Sequence, residues 1–169
     1  NYTHVLGYVA QASPQDILSN EVIKQRNTPG LRVGKTGLEK TFENKLIGTN
    51  SVQRYEVNAY GKKIKQIDFK DGKKGETIHL TIDTEIQNFT TELLRGKAGS
   101  ICVMDIYTGE IIAMNSAPSF DPNMFLYGMN EKKWKEMQKD KLNPLLNKTI
   151  SGLYSPGSTL KPLVALAAL

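Results

Sequence analysis

From Leu163 to Leu169 every residue is apolar, so a helix there is hydrophobic around its whole circumference and needs neighbours on every side. No other feature constrains the fold as much. Such a helix belongs in the centre of a structure, yet it stands at the last residues of a 169-residue chain. The expectation is a piece excised from something larger, with the cover for this helix lying outside it. The first residue, Asn1 rather than methionine, points the same way. There is no run of about 18 apolar residues that would span a membrane and no signal-peptide pattern.

Pro162 locates the start of the helix. Proline is tolerated only in the first turn, so the helix begins within about four residues before it. Ser158 then stands at or near the N-terminus, where unpaired amides and the positive end of the dipole favour an oxyanion. Lys161, three residues on, shares its face. These residues alone leave two readings open: a serine nucleophile with a lysine base, or a serine that caps the helix. Spacing does not decide between them. With nine serines and 18 lysines, about one Ser-x-x-Lys match arises by chance, and one is present.

Composition excludes several classes. At 169 residues the chain can bury roughly two thirds of its unfolded surface, and 39% hydrophobic with 23% charged residues is ordinary for a globular protein. The net charge of +5 comes from dispersed lysines without an arginine stripe or interleaved aromatics, which argues against nucleic acid. The single cysteine, Cys102, sits in an apolar run and reads as a buried small hydrophobe. His4 and His79 lack ligand spacing, so no metal is expected.

Along the chain, "THVLGYVAQ" alternates weakly like a strand, and "SPQDILSNEVIKQ" reads as one helix opened by Ser13 and Pro14. "TGLEKTFENKLIG" reads as a second helix, with Thr36 and Glu39 in capping-box spacing and Leu38, Phe42 and Leu46 on one face. Residues 52 to 69 read as a hairpin turning at "AYGKK". The polar "DGKKGE" at 71 to 76 marks a boundary, giving segments 1–75 and 76–169. Beyond it, "TIHLTID" reads as a strand, then Asp83 or Thr84 caps a helix whose Ile86, Phe89, Leu93 and Leu94 form an apolar stripe. "GSICVMDI" and "EIIAMNSA" form a hairpin through "YTG", their apolar character suggesting cover on both faces. "PSFDPN" is a rigid loop, and 130–139 a polar helix anchored by Trp134. The fold class is α+β.

The surroundings of Ser158 add a resemblance. "NKTISGLYSPGSTLKP" resembles the segment carrying the active-site serine of the penicillin-binding proteins, transpeptidases that cross-link peptidoglycan and are acylated by penicillins. "LTIDTEIQ", "GSICVMDIYTGEIIAMNSAPSFDPN" and "NPLLNKT" follow that family's order into its catalytic domain. "HVLGYV", "GKTGLEKTFENKLIG" and "YEVNAYGKKI" resemble the pedestal or dimerisation region of the class B members, especially the penicillin-binding protein 2 branch. Two departures are mild: Lys148 and Thr149 stand after Asn147 where relatives often have Arg-Ala, and Ser155 stands where proline is common.

The resemblance implies a mixed α/β pedestal over 1–75, followed over 76–169 by a truncated transpeptidase domain with an antiparallel hairpin and the start of the nucleophile helix. It implies that Ser158 attacks a stem-peptide carbonyl, that Lys161 takes its proton, and that the Ser158 amide supplies half of an oxyanion hole. It further implies no cofactor, a parent anchored in the inner membrane with its bulk in the periplasm, and β-lactams as ligands. A lipid-linked glycan polymerase and shape-determining scaffold proteins are the implied partners. The family's Ser-x-Asn and Lys-Thr-Gly motifs follow the serine, so both are expected outside this chain, which is then inactive alone. Lys35-Thr36-Gly37 stands far ahead of the serine and is a chance match. Two other classes remain: residues 1–75 as an interaction module, and a penicillin sensor or β-lactamase, which lacks the long segment before the serine.

Overall fold

The computed structural model describes every residue except Asn27 and Tyr127. Helix α1 (Thr3–Leu6) ends at Gly7, and β1 (Val9–Gln11) pairs antiparallel with β2 (Arg32–Gly34), Val9 opposite Gly34. The "THVLGYVAQ" stretch therefore opens as a helical turn and becomes a strand only at Val9. Between the two strands lie α2 (Pro14–Ser19) and α3 (Glu21–Gln25). Ser13 and Asp16 close a capping box at the start of α2. The single helix expected there is broken at Asn20, whose extended backbone ends α2 while its side chain accepts the Val22 and Ile23 amides to open α3. A short polar side chain that satisfies two orphan amides favours a new start over a continued helix.

The second expected helix is likewise two, α4 (Gly37–Thr41) and α5 (Glu43–Leu46), broken at Phe42. The Thr36–Glu39 capping box does not form: Thr36 is the N-cap but its side chain makes no capping bond. The start of α4 is set instead by backbone contact. Gly7 and Gly37 have φ of 86° and 61°, and a Cβ on Gly7 would stand 1.9 Å from the Thr36 carbonyl oxygen, so only glycine lets the segments meet. Glu43 turns inward and accepts the Gly34 amide at 2.5 Å; burial foremost, with the charges of Glu39 and Asp16, raises its carboxyl above the ordinary value against the pull of that amide. Val5, Ile23 and Val33 form the small core of this half.

Lys35, the chance match of the sequence, is paired with Asp16. Burial pushes the Asp16 carboxyl up, but hydrogen bonds from Lys35 and Ser13 and the Lys35 charge outweigh it and hold the group at about 2. A carboxylate depressed on folding stabilises above its unfolded value and loses that contribution as pH falls toward the folded one. Asp16→Asn should therefore lower the urea-unfolding free energy by about 1 kcal/mol at pH 7, allowing for partial exposure, and by almost nothing at pH 2. An equal loss at both pH values would refute the ion pair.

β3 (Val52–Val57) and β4 (Lys63–Lys70) form the expected hairpin, clamped at its base by the Thr49–Lys73 bridge. "TIHLTID" is not a strand. It is bonded to the next hairpin where the Thr81 hydroxyl donates to the Ile111 carbonyl at 2.6 Å and the Asp83 amide to that of Ile112 at 2.8 Å. That hairpin, β5 (Gly99–Met104) and β6 (Ile111–Ala117), pairs from Gly99 opposite Ala117 to Met104 opposite Ile111. Among the described residues the sheets are three two-stranded antiparallel pairs, and the fold is α+β.

Helix α6 (Thr84–Leu93), capped by Asp83, packs on β6 with the face opposite to the one expected. Gln87 and Thr90 are 0% and 4% exposed, whereas Ile86, Phe89 and Leu93 are 37%, 63% and 46% exposed. The reason is polar pairing: Gln87, Thr90 and Thr91 lie at i, i+3 and i+4 and meet the buried Asn115 of β6 through a set of hydrogen bonds. The β5–β6 hairpin is also open on one side, and Cys102 is exposed rather than buried.

A 3-10 turn (Pro122–Phe125) and α7 (Glu131–Lys139) follow, with Trp134 edge-on to Phe125 at 6.0 Å. Helix α8 (Lys148–Ser151) is bolted to β6. The Lys148 amide donates to the Ser116 hydroxyl at 3.0 Å, and the Thr149 hydroxyl donates to the Asn115 carbonyl at 3.1 Å. No helix of the described residues is long and apolar enough to cross a membrane.

Candidate active site

The approach to Ser158 starts at α8. Asn147 caps it by accepting the Thr149 amide at 3.1 Å and donates to the His4 carbonyl of α1 at 3.2 Å. Lys148, 7% exposed, donates through Nζ to the Asn143 carbonyl at 2.9 Å. Its burial pushes its pKa below the ordinary value, with Asp140 acting in the opposite sense. Burial and the Lys148 charge likewise lower His4, whose ring bonds the Pro144 backbone.

After Gly152 the chain runs out to Pro156 and Gly157. Gly157 has φ of 53°, a left-handed turn that glycine takes at little cost. It feeds a 3-10 turn (Gly157–Leu160) that passes directly into α9 (Lys161–Ala168), with Pro162 in the first turn as expected. The Lys161 amide donates to the Ser158 carbonyl. That bond closes one 3-10 turn, and residues three apart in such a turn eclipse, so both side chains leave the same face.

The capping reading does not hold. Pro156 caps the 3-10 turn and Leu160 caps α9, neither through a side chain. Ser158 is exposed within the 3-10 turn, and among the described residues neither its hydroxyl nor the Lys161 ammonium has a hydrogen-bond or ion-pair partner. The two residues singled out in the sequence thus share one turn, without a hydrogen bond between their side chains. Leu163, Val164 and Leu166 of α9 are all exposed.

Two domain families match in succession: the penicillin-binding protein dimerisation domain over residues 1–80, and the penicillin-binding protein transpeptidase domain over residues 99–169. The chain belongs to the penicillin-binding proteins. Among curated relatives this penicillin-binding protein chain is 38% identical over 168 residues to the peptidoglycan D,D-transpeptidase MrdA of Haemophilus influenzae, covering 98% of the chain and 26% of that relative. It is 36% identical over 169 residues to MrdA of Escherichia coli, covering 99% and 27%. The chain therefore spans about a quarter of their length.

Among solved structures it is similar to the penicillin-binding protein PBP2 of Helicobacter pylori in complex with MreC. The TM-score is 0.79 and the identity 34%, over 98% of the chain and 30% of that one. For PBP2 of Pseudomonas aeruginosa the values are 0.72 and 33%, over 99% and 32%. A peptidoglycan synthase complex that couples polymerization and crosslinking matches at 0.62 and 32%, over 86% and 27%. Ser158 and Lys161 fall inside the transpeptidase-domain match of this penicillin-binding protein.

Sequence reasoning missed the Gln87–Asn115 network. Its signal was a set of polar residues, Gln87, Thr90 and Thr91, at helical spacing on α6. Asn115 and Ser116 of β6 hold α6 and α8 in place.

Proposed function

We propose that the chain is part of a class B peptidoglycan D,D-transpeptidase, with a pedestal segment over 1–75 and the opening of the catalytic domain over 76–169. The observation that carries this reading is the Ser158–Lys161 pair on one 3-10 turn, set off by left-handed Gly157, inside the transpeptidase-domain match. Ser158 Oγ bonds to the carbonyl carbon of the penultimate D-alanine of a stem peptide. The peptide bond to the terminal D-alanine breaks, and the hydroxyl proton passes through Lys161 to the departing amine. The amine of a second stem peptide then resolves the acyl-enzyme. The backbone amide of Ser158 supplies half of the oxyanion hole.

One further part of the reading draws on the relatives. Their assemblies with MreC and with a glycan-polymerising synthase support a shape-determining scaffold protein and a lipid-linked glycan polymerase as partners of the parent. The parent is read as an inner-membrane protein with its catalytic bulk in the periplasm.

The chain alone is read as inactive, because a lysine titrates near 10.4 in water and base work near pH 7 needs roughly 4 kcal/mol of help from neighbouring groups. Intact-mass spectrometry after incubation with a penicillin tests the proposal, on this chain and on a longer protein that continues through a complete transpeptidase domain. The expected result is an adduct on the longer protein alone, mapped to the peptide containing Ser158. A folded longer protein without an adduct would refute the reading, and equal labelling of both would refute the inactivity of the chain.

A further inference from the structure

A cavity of about 330 Å³ lies where α1 and α4 meet α7 and α8. We propose that it binds one ring of a neutral sugar. Its walls combine three aromatic side chains, Tyr8, Phe120 and Trp134, with the polar side chains of Thr36, Asn147 and Ser151. No aspartate, glutamate, lysine or arginine lines it. His4, also in the wall, is held toward its neutral form by burial and by the Lys148 charge.

A phosphate or carboxylate ligand would find no countercharge in such a lining. A wholly apolar ligand would strip water from the hydroxyls without replacing it. A pyranose suits both kinds of wall, because its C–H face lies on aromatic rings while its hydroxyls reach the polar rim. Among the described residues the Thr36 and Ser151 hydroxyls have no protein partner and are available to it.

The aromatic wall is braced in advance. Phe125 stacks on Tyr8 with ring centres 4.0 Å apart and meets Trp134 edge-on at 6.0 Å. Phe120 is set edge-to-face against both Tyr8 and Phe125, at 6.2 and 5.7 Å. The volume is at the low end of small-molecule pockets, roughly 300–1,000 Å³, which fits one ring rather than a chain of them. Four other cavities of comparable size lack this combination: one carries Glu39, one Arg32, one Glu92 with Arg95 and Lys97, and the fourth has no aromatic wall.

The proposal is independent of acyl transfer, since the test contains no acyl donor. Methyl β-N-acetylglucosaminide is titrated into the chain while the fluorescence of Trp134, its one tryptophan, and saturation transfer to the sugar are followed. We expect saturable binding with a millimolar midpoint. Trp134→Ala should weaken it about tenfold by saturation transfer. Thr36→Val, which removes a hydroxyl without a partner in the fold, should weaken it about fivefold with an unchanged urea midpoint. The proposal is overturned if nothing saturates up to the solubility limit, if Thr36→Val binds as the parent chain does, or if phenol or acetate displaces the sugar at lower concentration.

Discussion

Lys161→Ala should slow penicillin acylation of the longer transpeptidase about 1,000-fold while leaving the thermal stability of the present chain unchanged. The stability half follows from geometry: Lys161 is exposed, has no ion-pair partner among the described residues and occupies the first position of α9. Alanine there is a better helix former than the residue it replaces. The kinetic half follows from the 3-10 turn, which holds the lysine on the face of the Ser158 hydroxyl. Removing a positioned general base typically costs 10² to 10⁴ in rate, so about 10³ is the centre of that range.

Lys161→Arg separates two roles. Arginine keeps the charge but does not give up its proton in proteins, so a base role predicts a loss as large as that of alanine. Recovery by arginine, or a loss under tenfold with alanine, would remove Lys161 from the proton path. Ser158→Ala should leave no adduct at all, and Ser158→Cys, with a more nucleophilic thiol, should depend less on Lys161.

These two residues were legible because their geometry is local. Pro162 bounds the start of α9, Gly157 supplies the left-handed turn, and the i, i+3 spacing survives whether the turn is 3-10 or α. The hairpins were legible for the same reason, since turn residues and alternation fix β3–β4 and β5–β6 without help from distant parts. Where local rules compete, the reading failed. At Asn20 and Phe42, one side chain satisfying nearby amides and one inward glutamate divided helices that periodicity made continuous. Thr36 has the right type for a cap, but the close approach of Gly7 and Gly37 sets the backbone first. The "TIHLTID" alternation is real, yet a strand needs a partner edge, and among the described residues β6 offers it two bonds. For α6 the periodicity marks the apolar stripe, but it says nothing about a polar face that is fully paired and buried instead.

That inversion sets the second large effect: Gln87→Leu should destabilise the chain by about 3 to 5 kcal/mol. The Gln87 side chain acts on β6 as a neighbouring strand would. Its Oε1 accepts the Met114 amide at 2.9 Å, and its Nε2 donates to the Met114 carbonyl at 3.0 Å, the Asn115 Oδ1 at 2.9 Å and the Asn1 carbonyl at 2.9 Å. Leucine fills similar space but leaves the Met114 amide and carbonyl without their side-chain partner, while Asn115 keeps Thr90, Thr91 and the Gln87 backbone carbonyl. Each unsatisfied buried group costs about 1 to 3 kcal/mol, against a total stability of about 5 to 15 for a domain.

Phe89→Ser, on the open face of the same helix, is the control. It should cost under about 0.5 kcal/mol in this chain, since exposed sites away from special features rarely cost more. If a longer protein covers Ile86, Phe89 and Leu93, the same change there becomes a core truncation worth about 3 kcal/mol. Urea unfolding followed by circular dichroism reads both variants in both proteins. A chain that tolerates Gln87→Leu but not Phe89→Ser would place the apolar face inward and refute the polar lock. Equal tolerance of Phe89→Ser in the two proteins would show that the stripe stays open to water in the complete domain.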